Sequence, residues 1–118
     1  MTREKVLLGQ KGETIAKNYL LENNYKILDQ NFKFKNGEID LIASNGDFLV
    51  FIEVKTRSNA QYGSPEYSIT KKKRAAISRT AEYYLYKKNI ENVDCRIDVI
   101  TILFDNSESF KLQHYENI

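Results

Sequence analysis

Asp40, Glu53 and Lys55 are the residues whose types and spacing could do chemistry together. Twelve positions separate Asp40 from Glu53, and Lys55 follows Glu53 by two. Two carboxylates can hold one hard cation between them. Oxygen ligands with retained waters are what Mg²⁺ or Mn²⁺ prefers. Such an ion lowers the pKa of a coordinated water and polarises a phosphoryl oxygen. An adjacent lysine can orient the attacking group or stabilise negative charge as it develops. These are the parts that phosphodiester hydrolysis needs.

Convergence depends on the elements that carry them. Phe48 to Val54 is almost wholly apolar, as in a central strand covered on both faces. Side chains alternate along a strand, so Phe51, Glu53 and Lys55 share one face. In the preceding segment Glu38, Asp40 and Ile42 share a face, while Ile39, Leu41 and Ala43 take the other. Closing a two-residue hairpin at Asn45-Gly46 sets Glu38 opposite Glu53 and Asp40 opposite Phe51. Asp40 and Glu53 then become diagonal neighbours, with Cβ atoms about 7 Å apart. A Glu-x-Lys pair alone is an ordinary cross-strand charge pair. Asp40, in register within a run too apolar for a solvated face, points to a neutralising cation.

Other residues extend this constellation. Glu13 borders the buried stripe of a first helix, where it either reaches the pocket or merely favours the helix dipole. Lys71, Lys72, Lys73 and Arg74 open a second helix. They are either a solvated basic turn or a contact for phosphates. Positive charge at a helix N-terminus opposes the dipole, which favours an anionic partner. Lys73 extends the buried stripe of that helix toward the carboxylates. Zinc does not suit the chain. His114 is expected on the surface, without a partner at metal-ligand spacing. The single cysteine, Cys95, is expected to pack as a small hydrophobe. Asp98 is expected to pair with a basic neighbour.

The elements follow from periodicity. Gly9 to Glu22 has a helical stripe of Gly12, Ala16, Tyr19 and Leu20, widened by Ile15. Strands are expected over Tyr25 to Phe34, Glu38 to Ala43 and Phe48 to Thr56. The pairs Asn36-Gly37 and Asn45-Gly46 suit type I′ turns between them. Ser58 to Ser68, with Pro65 and Gly63, reads as a loop. A helix over about Thr70 to Lys88 buries Ile77, Ala81, Tyr84 and Leu85. Tyr83 and Tyr86 stand beside that stripe as candidates for a helical contact. Strands are expected over Arg96 to Phe104 and Phe110 to Tyr115. The expected class is α/β, a mixed central sheet flanked by helices.

The 118 residues fit one domain spanning 1–118. The net charge of +2 does not by itself signal nucleic acid. The separation of a basic helix turn from an acidic pocket is more informative. One cysteine excludes an intrachain disulfide and suits a reducing compartment. The first residues lack a signal-peptide core, and no apolar run approaches the roughly 20 residues that span a bilayer. A cytoplasmic location without membrane partners is the expectation.

Gly12-Glu13, Gly37-Glu38-Ile39-Asp40 and Phe51-Ile52-Glu53-Val54-Lys55-Thr56-Arg57 together resemble the YraN-like family of uncharacterised bacterial proteins. That family is similar to archaeal Holliday-junction resolvases within the PD-(D/E)xK nuclease superfamily. The resemblance runs from Gly9 to about Ile102. It implies a restriction-endonuclease-like α-β-β-β-α-β core. It also implies that Asp40, Glu53 and the Val54 carbonyl ligate Mg²⁺ or Mn²⁺, with Lys55 the catalytic lysine and Glu13 the acid of the first helix. Arg57 and Lys73 would lie near the substrate. Some superfamily members carry a Gln-x-x-x-Lys pattern on the second helix; here Lys72-Lys73-Arg74-Ala75-Ala76 has no glutamine. The expected activity is a metal-dependent endonuclease on DNA, in preference to RNA, with branched or damaged DNA as candidates. The alternative is a nucleic-acid-binding protein that keeps the fold without cutting. A homodimer is left open.

Overall fold

The computed structural model describes residues 2–58, 69–105 and 109–118. The elements are α1 (Arg3–Glu22), β1 (Lys26–Phe34), β2 (Gly37–Ser44), β3 (Phe48–Ser58), α2 (Lys71–Lys87), β4 (Asp94–Phe104) and β5 (Phe110–Tyr115). The α-β-β-β-α-β order is present, with a fifth strand added. The strands form one sheet in the order β1-β2-β3-β4-β5. Only β3 and β4 run parallel; the other pairs are antiparallel. Parallel neighbours need a crossover, and α2 supplies a helix in that connection. Ser58 closes β3, and the rest of the expected Ser58 to Ser68 loop lies outside the described residues.

The strand alternation sorts two cores. On the α1 face, Ala16 and Leu20 pack with Leu41, Ala43, Val50, Ile52, Ile100 and Ile102. On the α2 face, Ile77, Ala81 and Tyr84 pack with Ile39, Ile42, Leu49 and Phe51. Tyr84 is therefore core, as its place in the helical stripe requires. Ile39 departs from the expected alternation. It shares the α2 face with Ile42, so β2 turns locally between them.

Several boundaries differ from the sequence reading. α1 begins at Arg3, ahead of the expected Gly9, because the Thr2 hydroxyl caps it by accepting from the Lys5 amide. Val6 and Leu7 are exposed, so the first turns carry no buried stripe to reveal them. Neither Asn-Gly pair forms the expected two-residue type I′ turn. Phe34 pairs with Gly37, which puts Lys35 and Asn36 at the first turn, and only Lys35 has a positive φ, of 54°. Gly37 serves a different need: a Cβ there would run into Thr80 Oγ1 of α2. In the second connection the Asn45 side chain accepts from the Asp47 and Phe48 amides. Ser44 then pairs with Leu49, which leaves a four-residue connection.

Two further expectations are corrected. Cys95 is exposed at the start of β4. His114 is nearly buried and belongs to a polar network on the α1 face. Its Nε2 lies 2.7 Å from Asp98 Oδ2, and its Nδ1 lies 2.9 Å from the Tyr19 hydroxyl. Arg96 donates two hydrogen bonds to the fully buried Asp98 and one to Tyr25. Burial works against the Asp98 charge, yet hydrogen bonds from His114, Arg96 and the Asn117 amide hold its carboxyl below its ordinary range.

α1 approaches β3 most closely at Gly12, where a Cβ would run into Thr56 Oγ1. Overpacking of this kind costs about 1–3 kcal/mol, against roughly 1 kcal/mol gained in helix propensity. Gly12→Ala is therefore expected to lower stability by up to about 2 kcal/mol in urea unfolding. In a Thr56→Ala background most of that loss should vanish. An equal loss in both backgrounds would show that the contact does not limit the packing.

Candidate active site

β2 and β3 pair through Ser44↔Leu49, Ala43↔Val50, Ile42↔Phe51 and Leu41↔Ile52, and there the recorded ladder stops. One further step would set Asp40 across from Glu53. The expected register was two residues off. A two-residue slip preserves parity, and Asp40 and Glu53 still come close enough for their charges to interact. Glu38, expected opposite Glu53, pairs with Lys33 of β1.

At the point where the ladder stops, the Asp40 side chain takes over. Its Oδ2 accepts a hydrogen bond from the Val54 amide at 2.7 Å. A ladder residue presents its N–H and C=O to the same neighbour. The Val54 carbonyl therefore faces the Asp40 edge of β3. Burial pushes the Asp40 carboxyl up to about 7, and the charges of Glu53, Glu13 and Glu38 push the same way. The Val54 amide opposes them.

Glu53 and Lys55 follow Phe51 along the α2 face of β3. Lys73 comes down from α2 and places its Nζ 3.4 Å from Glu53 Oε2. That separation is an ion pair but not a hydrogen bond. Glu53 Oε2 is sealed from solvent without a hydrogen-bond partner. The other such atom among the described residues is Thr101 Oγ1, whose residue stands across from Lys55 on β4. Both unserved oxygens thus belong to one neighbourhood. Burial lowers the Lys55 pKa, Arg57 and Lys73 lower it further, and Glu53 opposes them.

Glu13 reaches the same region from α1. Burial raises its pKa and Glu38 adds to the rise, while a side-chain hydrogen bond with Asn31 opposes both. Asn31 lies within β1 with a φ of 52°. It went unread in the sequence, although asparagine is one of the few residues that adopts this conformation readily. Glu13 also lines a cavity of about 430 Å³ with Lys5, Leu8, Gly9, Val54, Thr56 and Arg57. Arg57 bends back on itself, its Nη1 donating to the Thr56 carbonyl.

The basic turn of α2 divides. The Thr70 hydroxyl caps it by accepting from the Lys73 amide. Lys73 faces Glu53, and Lys71 and Lys72 are exposed beside it. Arg74, expected with them, turns away: its Nε and Nη2 donate to the Ile118 carbonyl.

Among the described residues no three Asp, Glu, His or Cys side chains are gathered closely enough to hold a metal ion by themselves. The donor set that is present is all oxygen: Asp40, Glu53 and the Val54 carbonyl. It contains a buried oxygen without a hydrogen bond and a carboxylate whose charge is disfavoured. Both features fit a hard cation that keeps waters as its remaining ligands.

The Asp40 shift has a definite sign. Its folded pKa of about 7 lies above the ordinary 3.8. The folded state therefore holds a proton that the unfolded chain releases, and stability falls as pH rises from about 4 to about 7. Asp40→Asn removes the charge while its amide oxygen can still accept from Val54. In EDTA it is expected to stabilise the fold at pH 8 by on the order of a few kcal/mol, seen as a higher melting temperature, and to stabilise it clearly less at pH 5. Mg²⁺ should then raise the melting temperature of the wild type only. Equal effects of the substitution at both pH values would refute the electrostatic reading.

The model of the uncharacterised protein family UPF0102 matches residues 12–102. A UPF0102 protein of Carboxydothermus hydrogenoformans is 38% identical over 111 residues, covering 94% of this chain and 93% of the relative. One from Clostridium tetani is 46% identical over 99 residues, covering 84% and 81%. Among solved structures, Pyrococcus furiosus SfsA in complex with Ca²⁺ is similar with a TM-score of 0.42 and 12% identity. That match covers 95% of this chain and 63% of the other. A likeness of that size fixes neither fold nor site.

Proposed function

We propose, from the premise that this chain belongs to the uncharacterised protein family UPF0102, that it is a divalent-metal-dependent endonuclease that hydrolyses phosphodiester bonds in DNA. The observation that carries the reading is the pairing of Asp40 and Glu53 charges where the β2–β3 ladder stops, with Lys55 interacting with Glu53 and with Glu53 Oε2 buried without a hydrogen bond. Asp40, Glu53 and the Val54 carbonyl would hold Mg²⁺ or Mn²⁺. When bound, that ion supplies Lewis-acid polarisation of the phosphoryl oxygens and a template for the attacking water.

The chain's own groups divide the remaining work. Lys55 stands on the same face as Glu53 and stabilises the negative charge that builds on the phosphoryl oxygens. Glu13 approaches from the opposite helix, where Asn31 fixes its carboxyl for orienting a water. Lys73 neutralises Glu53 in the resting site and meets a phosphate when substrate enters. Lys71, Lys72 and Arg57 add positive charge to the approach. No helix among the described residues is long and apolar enough to cross a membrane.

Lys71 and Lys72, exposed at the start of α2, also favour a second reading, a protein that binds nucleic acid without cutting it. Incubation with Mg²⁺ or Mn²⁺ and linear, nicked and four-way DNA separates the two. Under the endonuclease reading, Asp40→Ala and Glu53→Ala abolish cleavage, and Lys55→Ala slows it about 10²- to 10³-fold. Calorimetric titration with Mg²⁺ should lose its heat in Asp40→Ala. Cleavage that survives both carboxylate substitutions would reject this site. Salt-sensitive binding without metal-dependent turnover would select the second reading.

A further inference from the structure

An aromatic surface runs beside the candidate site, along α2 and the β1–β2 hairpin. Phe34 and Tyr83 stack face to face, with ring centroids 3.9 Å apart and an interplanar angle of 12°. Tyr86 continues the row, 6.5 Å from Tyr83, and is 80% exposed. Phe32 anchors the row from below, stacked on Tyr83 and edge-on to the buried Tyr84. Lysines border it. Lys35 Nζ lies 5.3 Å from the Phe34 centroid, and Lys87 Nζ lies 5.9 Å from that of Phe32.

This surface is placed to serve the cleft. Gly37, at the base of the row, pairs with Phe34 and is three residues from Asp40, about 10 Å along β2. Lys73, which meets Glu53, is thirteen residues from Tyr86, about 20 Å along α2. A stacked strand advances about 3.4 Å per nucleotide, so the interval holds roughly three to six nucleotides.

Stacked rings with lysines beside them match the chemistry of a nucleic-acid strand, π-faces for bases and ammonium groups for phosphates. The rings alone would suit a protein partner as well, but lysine is depleted in protein interfaces, so the ammonium groups bordering the row favour a nucleic-acid strand. Bases in a duplex have their faces covered by their neighbours, so a ring platform selects bases that are unpaired. We propose that Tyr86, on the Phe34–Tyr83 stack and flanked by Lys35 and Lys87, binds an unpaired base of the strand that enters the Asp40–Glu53 cleft. The substrate class is then nucleic acid with a single-stranded stretch a few nucleotides from the scissile bond. The assignment of substrate rests on the endonuclease reading; the base-stacking surface stands on its own geometry.

The test is fluorescence anisotropy in EDTA with a labelled oligothymidylate and a labelled duplex of equal length. Tyr86→Ala is expected to weaken oligothymidylate binding about 5- to 100-fold and to leave duplex binding within about twofold. Tyr86→Phe should keep the wild-type affinity. Tyr86 is exposed, so its replacement leaves the core intact, which circular dichroism would verify. Unchanged oligothymidylate affinity in Tyr86→Ala overturns the proposal, as does an equal loss on both probes. Sedimentation that finds a dimer broken by Tyr86→Ala, with single-strand affinity unchanged, assigns the surface to a second copy and overturns it too. A cleavage assay on splayed-arm DNA separates the two layers. Tyr86-dependent binding without cleavage by the wild type ends the endonuclease reading and leaves the stacking surface in place.

Discussion

A single hydrogen bond organises the functional end of this fold. The Val54 amide, which a continuing β2 strand would have satisfied, is satisfied by the Asp40 carboxylate. A buried amide left unpaired costs about 1–3 kcal/mol, and a bond to a charged acceptor is stronger than its neutral counterpart. The substitution of side chain for backbone lets β2 and β3 part without stranding a donor. It also holds Asp40 at the sheet edge, where neighbours from both faces can reach it. Glu53 lies on the α2 face, and Glu13 arrives from the α1 side.

Two close approaches convert that parting into a cleft. Gly12 lets α1 settle on Thr56, and the next residue is Glu13. Gly37 lets α2 settle on the start of β2 through Thr80, which fixes the helix whose first turn carries Lys73. Each contact sets a glycine against a threonine across the helix–strand interface. Each places a charged residue of its helix toward the cleft. The groups that would act on a phosphodiester are thereby carried by packed elements, the arrangement that holds catalytic geometry most firmly.

The legible parts of this molecule were those that depend on parity and period. Glu53 and Lys55 could be placed on one face because strand side chains alternate, and Asp40 comes near Glu53 despite a register error of two residues and a local turn of β2 beside it. The register itself was not legible. Asn45-Gly46 promised a two-residue turn, but the Asn45 side chain captured the Asp47 and Phe48 amides and lengthened the connection. The first turns of α1 were hidden because Val6 and Leu7 face outward. His114 was misjudged because its partners lie far off in sequence: Tyr19 is 95 residues away. Asn31 and Thr101 escaped notice for a similar reason. Their importance comes from what the fold sets across from them, and no local pattern announces it.

Two aspartates of the sheet, Asp98 fully buried and Asp40 partly so, make the strongest comparison. Asp98 has no exposed surface, yet Arg96 donates twice to it, and His114 and the Asn117 amide complete its partners. Its charge is held below the ordinary carboxylate range. Asp40 receives one amide and faces three other acidic side chains, so its carboxyl is driven upward. Glu53, near it, keeps an oxygen without a hydrogen bond, met by the Lys73 ammonium at 3.4 Å. This sheet therefore carries the means to satisfy a buried carboxylate completely and uses them at one end only. At the other end, Lys55 and Lys73 supply only part of the balance, and the ionised form of Asp40 is disfavoured. Such a deficit would be relieved by a ligand that brings two positive charges, which is the chemistry that the proposed divalent cation would supply.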